Sequence, residues 1–261
     1  MRKRCFIVIV IFTLLTYNSC LKDLLCIRGN GIEETEVRRA FAFNKIENST
    51  SIDVIYKKAD TTSITIRADE NLLEYITTET NNNTLEIRIR NGSTCLDFDT
   101  KPLITVTSPG LKTVFESGSG TFFADEMSGN DVAIKMSGSG DISIAKVSST
   151  GMTVTLSGSG NIDLNNCIGV NSDVFLSGSG NIRLAGQNES SNLKISGSGE
   201  INAENLMLGS AYIIISGSGD IFANVENSLT AIISGSGNIY LKGDPTISTT
   251  TSGSGRIIKY E

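Results

Sequence analysis

Val154-Thr155-Leu156-Ser157-Gly158-Ser159-Gly160-Asn161-Ile162-Asp163-Leu164 alternates without a break. Val154, Leu156, Gly158, Gly160, Ile162 and Leu164 share one parity, and both serines fall on the other. Side chains of an extended segment point alternately to two faces. The glycines therefore share the inward face with the aliphatics, and the serines face out. An interior glycine pair weakens a strand by itself. Its benefit is space, because the wall bends sharply there or approaches the opposite wall, leaving no room for a β-carbon.

The same tetrapeptide starts at Ser117, Ser137, Ser157, Ser177, Ser196, Ser216, Ser234 and Ser252, at steps of 20, 20, 20, 19, 20, 18 and 18 residues. So steady a period means one structural unit stacked on copies of itself. The phase repeats in Val132, Ile134 and Met136, in Val174 and Leu176, in Ile213 and Ile215, and in Ala231 and Ile233. The expected fold is all-β: a single-stranded parallel β-helix of about eight 18–20-residue coils, right-handed because parallel crossovers are. At about 4.8 Å per coil it runs about 38 Å. Asn165-Asn166 and Gly186-Gln187-Asn188 are expected as loops closing the coils. A sandwich of repeated hairpins is the alternative, since Gly and Ser also mark turns. The unbroken parity argues against it. At the ends the pattern weakens, with Glu116, Thr249 and Thr251 at inward positions, as expected of capping repeats.

Four segments follow. Residues 1–19 read as a signal peptide: basic Arg2, Lys3 and Arg4, then the apolar run Cys5–Leu15. Tyr17-Asn18-Ser19-Cys20 resembles a bacterial lipoprotein signal, with Cys20 as the lipid attachment site; ordinary cleavage nearby is the alternative. Residues 20–36 read as the lipid-anchored tether. Residues 37–110 read as a non-repetitive N-terminal β region, packed on or continuous with the helix. Within it Ile52, Val54 and Tyr56 alternate, as do Leu85, Ile87 and Ile89. A short helix is expected around Glu70–Ile76, capped by Asp69. Residues 111–261 are the repeat.

Removing residues 1–19 takes three of the 22 basic residues and none of the 28 acidic ones, which leaves a net charge of −9. That balance excludes nucleic acid, which needs a basic footprint. In an oxidising compartment Cys26 and Cys95 are expected to form a disulfide. Cys167 takes the place of an apolar residue and reads as a small buried hydrophobe. The sequence has no His and no Trp, so histidine-based triads and histidine-ligated metals are excluded. No metal or cofactor is expected.

These features resemble the auto-transporter adhesin head GIN domain family of exported bacterial proteins. Gly-Ser-Gly followed by a polar residue and Ile carries the resemblance, with Glu200-Ile201-Asn202 giving a literal Ile-Asn. Cys26-Ile27-Arg28-Gly29-Asn30-Gly31 and Asp69-Glu70-Asn71-Leu72-Leu73 carry it upstream. It implies a β-helical fold over residues 26–261 and an adhesin-like role, with no catalytic residue to carry across.

Three surface features are candidates. Sixteen motif serines should form two hydroxyl files. Asp141, Asn161, Asn181, Glu200, Asp220 and Asn238, each following a motif, should stack as an outward polar ladder. A single file of that kind supplies too few oxygens for Ca²⁺. Tyr212, Ile214, Phe222, Ile232, Tyr240 and Ile258 point outward near the C-terminus and form a candidate contact patch. Either it meets a partner, or the N-terminal β region or a loop folds over it. Asp141 and Asp163 could approach one another on neighbouring coils, as a carboxylate pair for glycoside chemistry would.

The resulting expectation is a non-catalytic, adhesin-like envelope lipoprotein that binds a glycan or surface protein. Its membrane contact is the lipid anchor. It sits in the outer membrane or at the cell surface, with the periplasmic face not excluded. A structural scaffold forming homo-oligomers is the alternative, and a polysaccharide-active enzyme comes third.

Overall fold

The computed structural model describes residues 26–90 and 95–260. The signal peptide, Cys20 and residues 20–25 of the tether lie outside the described residues. The N-terminal strands are β1 (Cys26–Arg28), β2 (Glu33–Arg38), β3 (Lys45–Asn48), β4 (Asp53–Lys58) and β5 (Ser63–Asp69). After a 3-10 turn at Glu70–Tyr75 come β6 (Ile76–Asn81), β7 (Thr84–Ile89), β8 (Cys95–Asp97) and β9 (Leu103–Ser108). The repeat comprises β10 (Thr113–Glu116), β11 (Thr121–Ala124), β12 (Met127–Met136), β13 (Asp141–Ile144), β14 (Val147–Leu156) and β15 (Asn161–Leu176). It continues with β16 (Asn181–Ile195), β17 (Glu200–Ile215), β18 (Ile221–Ile233), β19 (Ile239–Lys242), β20 (Thr246–Thr251) and β21 (Ile257–Lys259).

Every pairing from β10 onward is parallel and joins equivalent positions of successive coils, such as Ile162 with Ile182 and Val174 with Leu193. The chain is a stacked parallel β-helix, as the parity requires. Eight Ser-Gly-Ser-Gly corners bound about seven turns. Each coil has three sides. One wall leads into the Ser-Gly-Ser-Gly corner, a second leads out of it, and a third side completes the turn. The inward residues are mostly aliphatic on every side: Val154 and Ile213, Ile162 and Ile221, and Leu206 and Leu208 are fully buried. Cys167 is 1% exposed, and burial pushes its thiol up to about 12, so it packs as a hydrophobe.

The glycine positions are inward, but the reason differs from the one expected. A β-carbon on Gly158 would lie 1.8 Å from the carbonyl oxygen of Gly138, and one on Gly160 would lie 1.7 Å from that of Gly140. All sixteen motif glycines meet the carbonyl one coil earlier, at 1.7–2.3 Å. The obstacle lies along the stacking axis rather than across the interior. The Gly138 carbonyl also accepts the N–H of Ser159 at 3.3 Å. The hydrogen bond that closes the stack thus occupies the space a side chain needs.

That rule runs one way. The first corner in the stack is Ser49-Thr50-Ser51-Ile52, which carries no glycine. Its carbonyls limit Gly118 and Gly120, while the chain beneath it leaves the stack between Ile89 and Leu103 through β8. Thr50 and Ile52 can keep side chains, and both are buried.

The N-terminal region therefore belongs to the stack. β3 and β4 pair in parallel with β10 and β11, and β7 and β9 lie beneath them. Antiparallel strands then close this end: β5 on β9, β2 on β5, and β6 on β7. They remove the stacking edge that an open helix would leave. Residues 26–36, expected as tether, are instead held in sheet: β1 pairs with β8 and is joined to it by the Cys26–Cys95 disulfide, and β2 pairs with β5. An exported environment favours such a bond.

Three further expectations change. The turn at Glu70–Tyr75 is 3-10, and Asp69 makes no capping hydrogen bond. Its buried carboxylate instead accepts the N–H groups of Gly31, Asp99 and Thr100 at 2.9, 3.1 and 3.1 Å, tying three segments together. The stretches 165–166 and 186–188 are not closing loops but lie within β15 and β16, where a bulge between Leu164 and Cys167 adjusts the register. Thr249 and Thr251 are exposed, because among the described residues β20 is paired only with β18 beneath it. Glu116 is inward, as expected, and fully buried.

Candidate functional site

Both serines of the middle corners are exposed, the first glycine half-buried and the second buried. The hydroxyls therefore run as two files along one edge of the rod. The polar ladder stands beside them. Asn161 Nδ2 donates to Asp141 Oδ1 at 2.9 Å, and Asn181 Nδ2 donates to Asn161 Oδ1 at 3.0 Å. Asn238 N donates to Asp220 Oδ1 at 2.6 Å. Glu200 keeps the register opposite Asn181. The file begins one coil earlier than the motif suggests, since Asp53 Oδ1 accepts the N–H of Thr121 at 2.9 Å. Within Asp141–Asn161–Asn181 and between Asp220 and Asn238 these groups satisfy one another from coil to coil, which supports the register.

Asp141 and Asp163 do not pair. Asp141 sits opposite Asn161, and Asp163 sits opposite Ser143 and Arg183. Arg183 Nη1 meets Asp163 Oδ1 at 3.2 Å. That contact engages the Asp163 carboxylate, and no second carboxylate stands opposite it for a glycosidase pair. Among the described residues no group of three or more His, Cys, Asp or Glu could hold a metal ion.

The six patch residues divide between two walls. Phe222, Tyr240 and Ile258 are register neighbours on the wall leaving the corner. Phe222 and Tyr240 stack with ring centroids 4.5 Å apart and planes 10° from parallel. Ile214 and Ile232 are neighbours on the wall entering the corner, with Tyr212 beside Thr230. All are half-buried except Ile258, which is exposed. The exposed serine edge runs between the two groups. The N-terminal strands lie at the other end of the stack, so they do not cover the patch.

Two residues that the sequence reading passed over extend these files. Phe175 precedes Lys194 and Ile214 in register, and Lys194 Nζ lies 5.3 Å from the Phe175 ring centroid. Together with Ser177, Ser196 and Ser216 they line a trough of about 260 Å³. Phe123 is 44% exposed on the other wall. Each sits inside an apolar triplet, Val174-Phe175-Leu176 or Phe122-Phe123-Ala124, so the outward ring was masked by the inward residues on either side of it.

The sequence and fold have known counterparts. A putative lipid binding protein from Parabacteroides distasonis shares 32% identity, with a TM-score of 0.86 over 90% of this chain and 99% of that one. A putative adhesin from Parabacteroides merdae shares 28% identity, with a TM-score of 0.85 over 90% and 99%. A putative adhesin from Bacteroides fragilis shares 26%, with a TM-score of 0.68 over 90% and 100%. No curated protein matches the sequence. The family model described as "Putative auto-transporter adhesin, head GIN domain" matches residues 42–245, from the first rung to the penultimate coil, and the chain belongs to that family.

Proposed function

We propose that the protein is a non-catalytic, adhesin-like binding module of the cell envelope, anchored through a lipid on Cys20. The observation that carries this reading is the outward Phe222–Tyr240–Ile258 file, which lies beside the serine edge at the end of the rod farthest from the N-terminal cap. Stacked rings and half-exposed aliphatics beside hydroxyls suit contact with a glycan or a surface protein. A relative's description as lipid binding fits the same face better than the interior. Between Ile46 and Leu241 the interior is packed mostly with buried apolar side chains and holds a few buried polar ones such as Asn48, Glu116 and Asn188, so an acyl chain fits the outside better.

Replacing both rings, Phe222→Ser with Tyr240→Ser, should lower binding of the full-length chain to glycan arrays or host-surface preparations at least tenfold, with melting shifted by only a few degrees. A collapse in melting temperature with binding retained would count against the contact role. Fatty-acid labelling of the chain in its bacterial host should disappear in Cys20→Ser. Labelling that persists in that variant would remove the anchor. Self-association is the second reading, favoured by β20 and β21, each of which pairs on one side only among the described residues. Concentration-dependent mass in solution distinguishes it.

A further inference from the structure

Seven large hydrophobic residues are exposed among the described ones, and three of them fall within one ten-residue stretch: Ile32 at 58%, Val37 at 73% and Phe41 at 54%. They sit on β2 and just beyond its two ends. Along the wall that leaves the corner the strand order runs β11, β4, β9, β5, β2. β2 is therefore the outermost strand of that wall, at the end of the rod opposite the Phe222–Tyr240–Ile258 file. Val37 lies opposite Thr65, on the face away from the buried Ile64 and Ile66. The Arg39 guanidinium lies 4.8 Å from the centroid of the Phe41 ring.

β2 is poorly suited to receive another strand. Glu34, Glu36 and Arg38 occupy its inner face, opposite Ala68, Ile66 and Ile64. Charges so placed oppose edge-to-edge pairing. Arg38 is also engaged, donating to the carbonyls of Leu73 and Ile76 and to the Glu36 carboxylate. The chain before β1 points to a different occupant. Six residues separate Cys20 from Cys26. Cys26 is fixed to Cys95 and paired within the β1–β8 sheet. A lipid on Cys20 thus keeps Cys26, and the cap that follows it, within about 20 Å of the bilayer, the full reach of six extended residues.

We propose that the N-terminal cap docks end-on against a zwitterionic phospholipid bilayer, with Ile32, Val37 and Phe41 entering the headgroup boundary. Arg39, exposed beside Phe41, meets lipid phosphate, and the exposed Glu33 and Glu34 meet the headgroup ammonium. Residues 26–45 carry four basic and three acidic residues, a mixed rim that suits a headgroup of both signs. The net charge of −9 on the mature chain disfavours anionic lipid. The inference rests on the proposed lipidation of Cys20 for its leash, and adds a protein surface to that attachment.

The test uses lipidated protein purified from its host and reconstituted in phosphatidylethanolamine–phosphatidylcholine vesicles. An environment-sensitive dye is placed on Val37→Cys, on Phe41→Cys or, as the distal control, on Ser254→Cys. Cys167 is 1% exposed and stays unlabelled. Dye at 37 or 41 should brighten several-fold and be quenched by brominated lipid, whereas dye at 254 should do neither. In a second arm the mature chain carrying Cys20→Ser is mixed with the same vesicles. It should co-sediment at least fivefold more than the same chain carrying Val37→Glu and Phe41→Glu, and more than with phosphatidylglycerol vesicles. Water-like emission at both 37 and 41, or sedimentation no greater than that of the double variant, would overturn the docking. If Cys20 carries lipid while both dyes stay in water, the docking falls and the anchor stands. If Cys20 carries no lipid and the second arm behaves as expected, the anchor falls and the docking stands.

Discussion

Gly158→Ala should lower the melting temperature by roughly 10 °C, while Gly110→Ala should leave it unchanged or slightly raised. The new methyl carbon on residue 158 would sit 1.8 Å from the Gly138 carbonyl oxygen, 2.9 Å from its carbon and 2.9 Å from the Ser137 oxygen. All three neighbours are backbone, so no side chain can swing away. Relief requires the two coils to part at the corner. That lengthens the Ser159-to-Gly138 and Ser179-to-Gly158 hydrogen bonds, now 3.3 and 3.2 Å. Overpacking a well-packed interior typically costs 1–3 kcal/mol, and each lost hydrogen bond about 1 more. A total near 3–5 kcal/mol is unusual for one methyl group. In a chain of this size each kcal/mol moves melting by about 2–4 °C. Gly110 has nothing within 4 Å of the corresponding position, and its φ lies outside the left-handed region. Alanine there mainly restricts the unfolded chain, worth about 0.4–1 kcal/mol in favour of folding. Circular dichroism melts of the two variants decide the matter. Equal midpoints would mean that the corner glycines answer to something other than the stack.

The second large effect is a pH dependence centred on Glu116. Its side chain points inward just before the first Ser-Gly-Ser-Gly corner, where later coils place Met136, Leu156 or Leu176. Asn48 Nδ2 donates to Oε2 at 2.9 Å, and Gly118 N donates to Oε1 at 3.1 Å. Burial, with a smaller push from Asp53, raises the carboxyl from 4.5 to about 8 against those two hydrogen bonds. The folded chain thus holds a proton that the unfolded chain releases. Stability conferred at this residue is greatest below about pH 4.5 and is lost as pH rises, levelling off above about 8. A displacement of that size corresponds to several kcal/mol, at about 1.4 per pH unit. Gln imitates the protonated acid and cannot ionise. Urea denaturation from pH 5 to pH 9 should therefore show the wild type losing stability relative to Glu116→Gln by several kcal/mol, with the variant the more stable at pH 9. Parallel curves for the two proteins would place the titrating group elsewhere.

Much of this was legible because a strand pattern of period two fixes sides without any knowledge of contacts. Val132, Ile134, Met136, Ile142 and Ile144 are all buried, and the serines between the glycines are all at the surface or half-buried. The axial direction of the glycine constraint was not legible, because parity distinguishes inside from outside but not along from across. The first rung escaped for a related reason. Ser49-Thr50-Ser51-Ile52 holds the same phase as later corners, yet the glycines are absent where no coil lies beneath to demand them. Asp69 precedes a short helical turn and so looks like a cap. Backbone amides from Gly31 and from the 99–100 segment claim it instead, and these are distant in sequence. Asn188 sits in a polar tripeptide, Gly186-Gln187-Asn188, that has the composition of a turn. Only the neighbouring coils show that its amide is interior.

The one-way clearance at the corners makes the molecule extensible from a single end. A duplicated unit inserted beyond Gly120 finds a bare carbonyl beneath it and offers one to the next, while the antiparallel closure at β2 and β6 admits nothing below. Each added unit would carry the distal aromatic file about 4.8 Å farther from the N-terminal cap. Reach can therefore be tuned by copying 18–20 residues, without redesigning either tip.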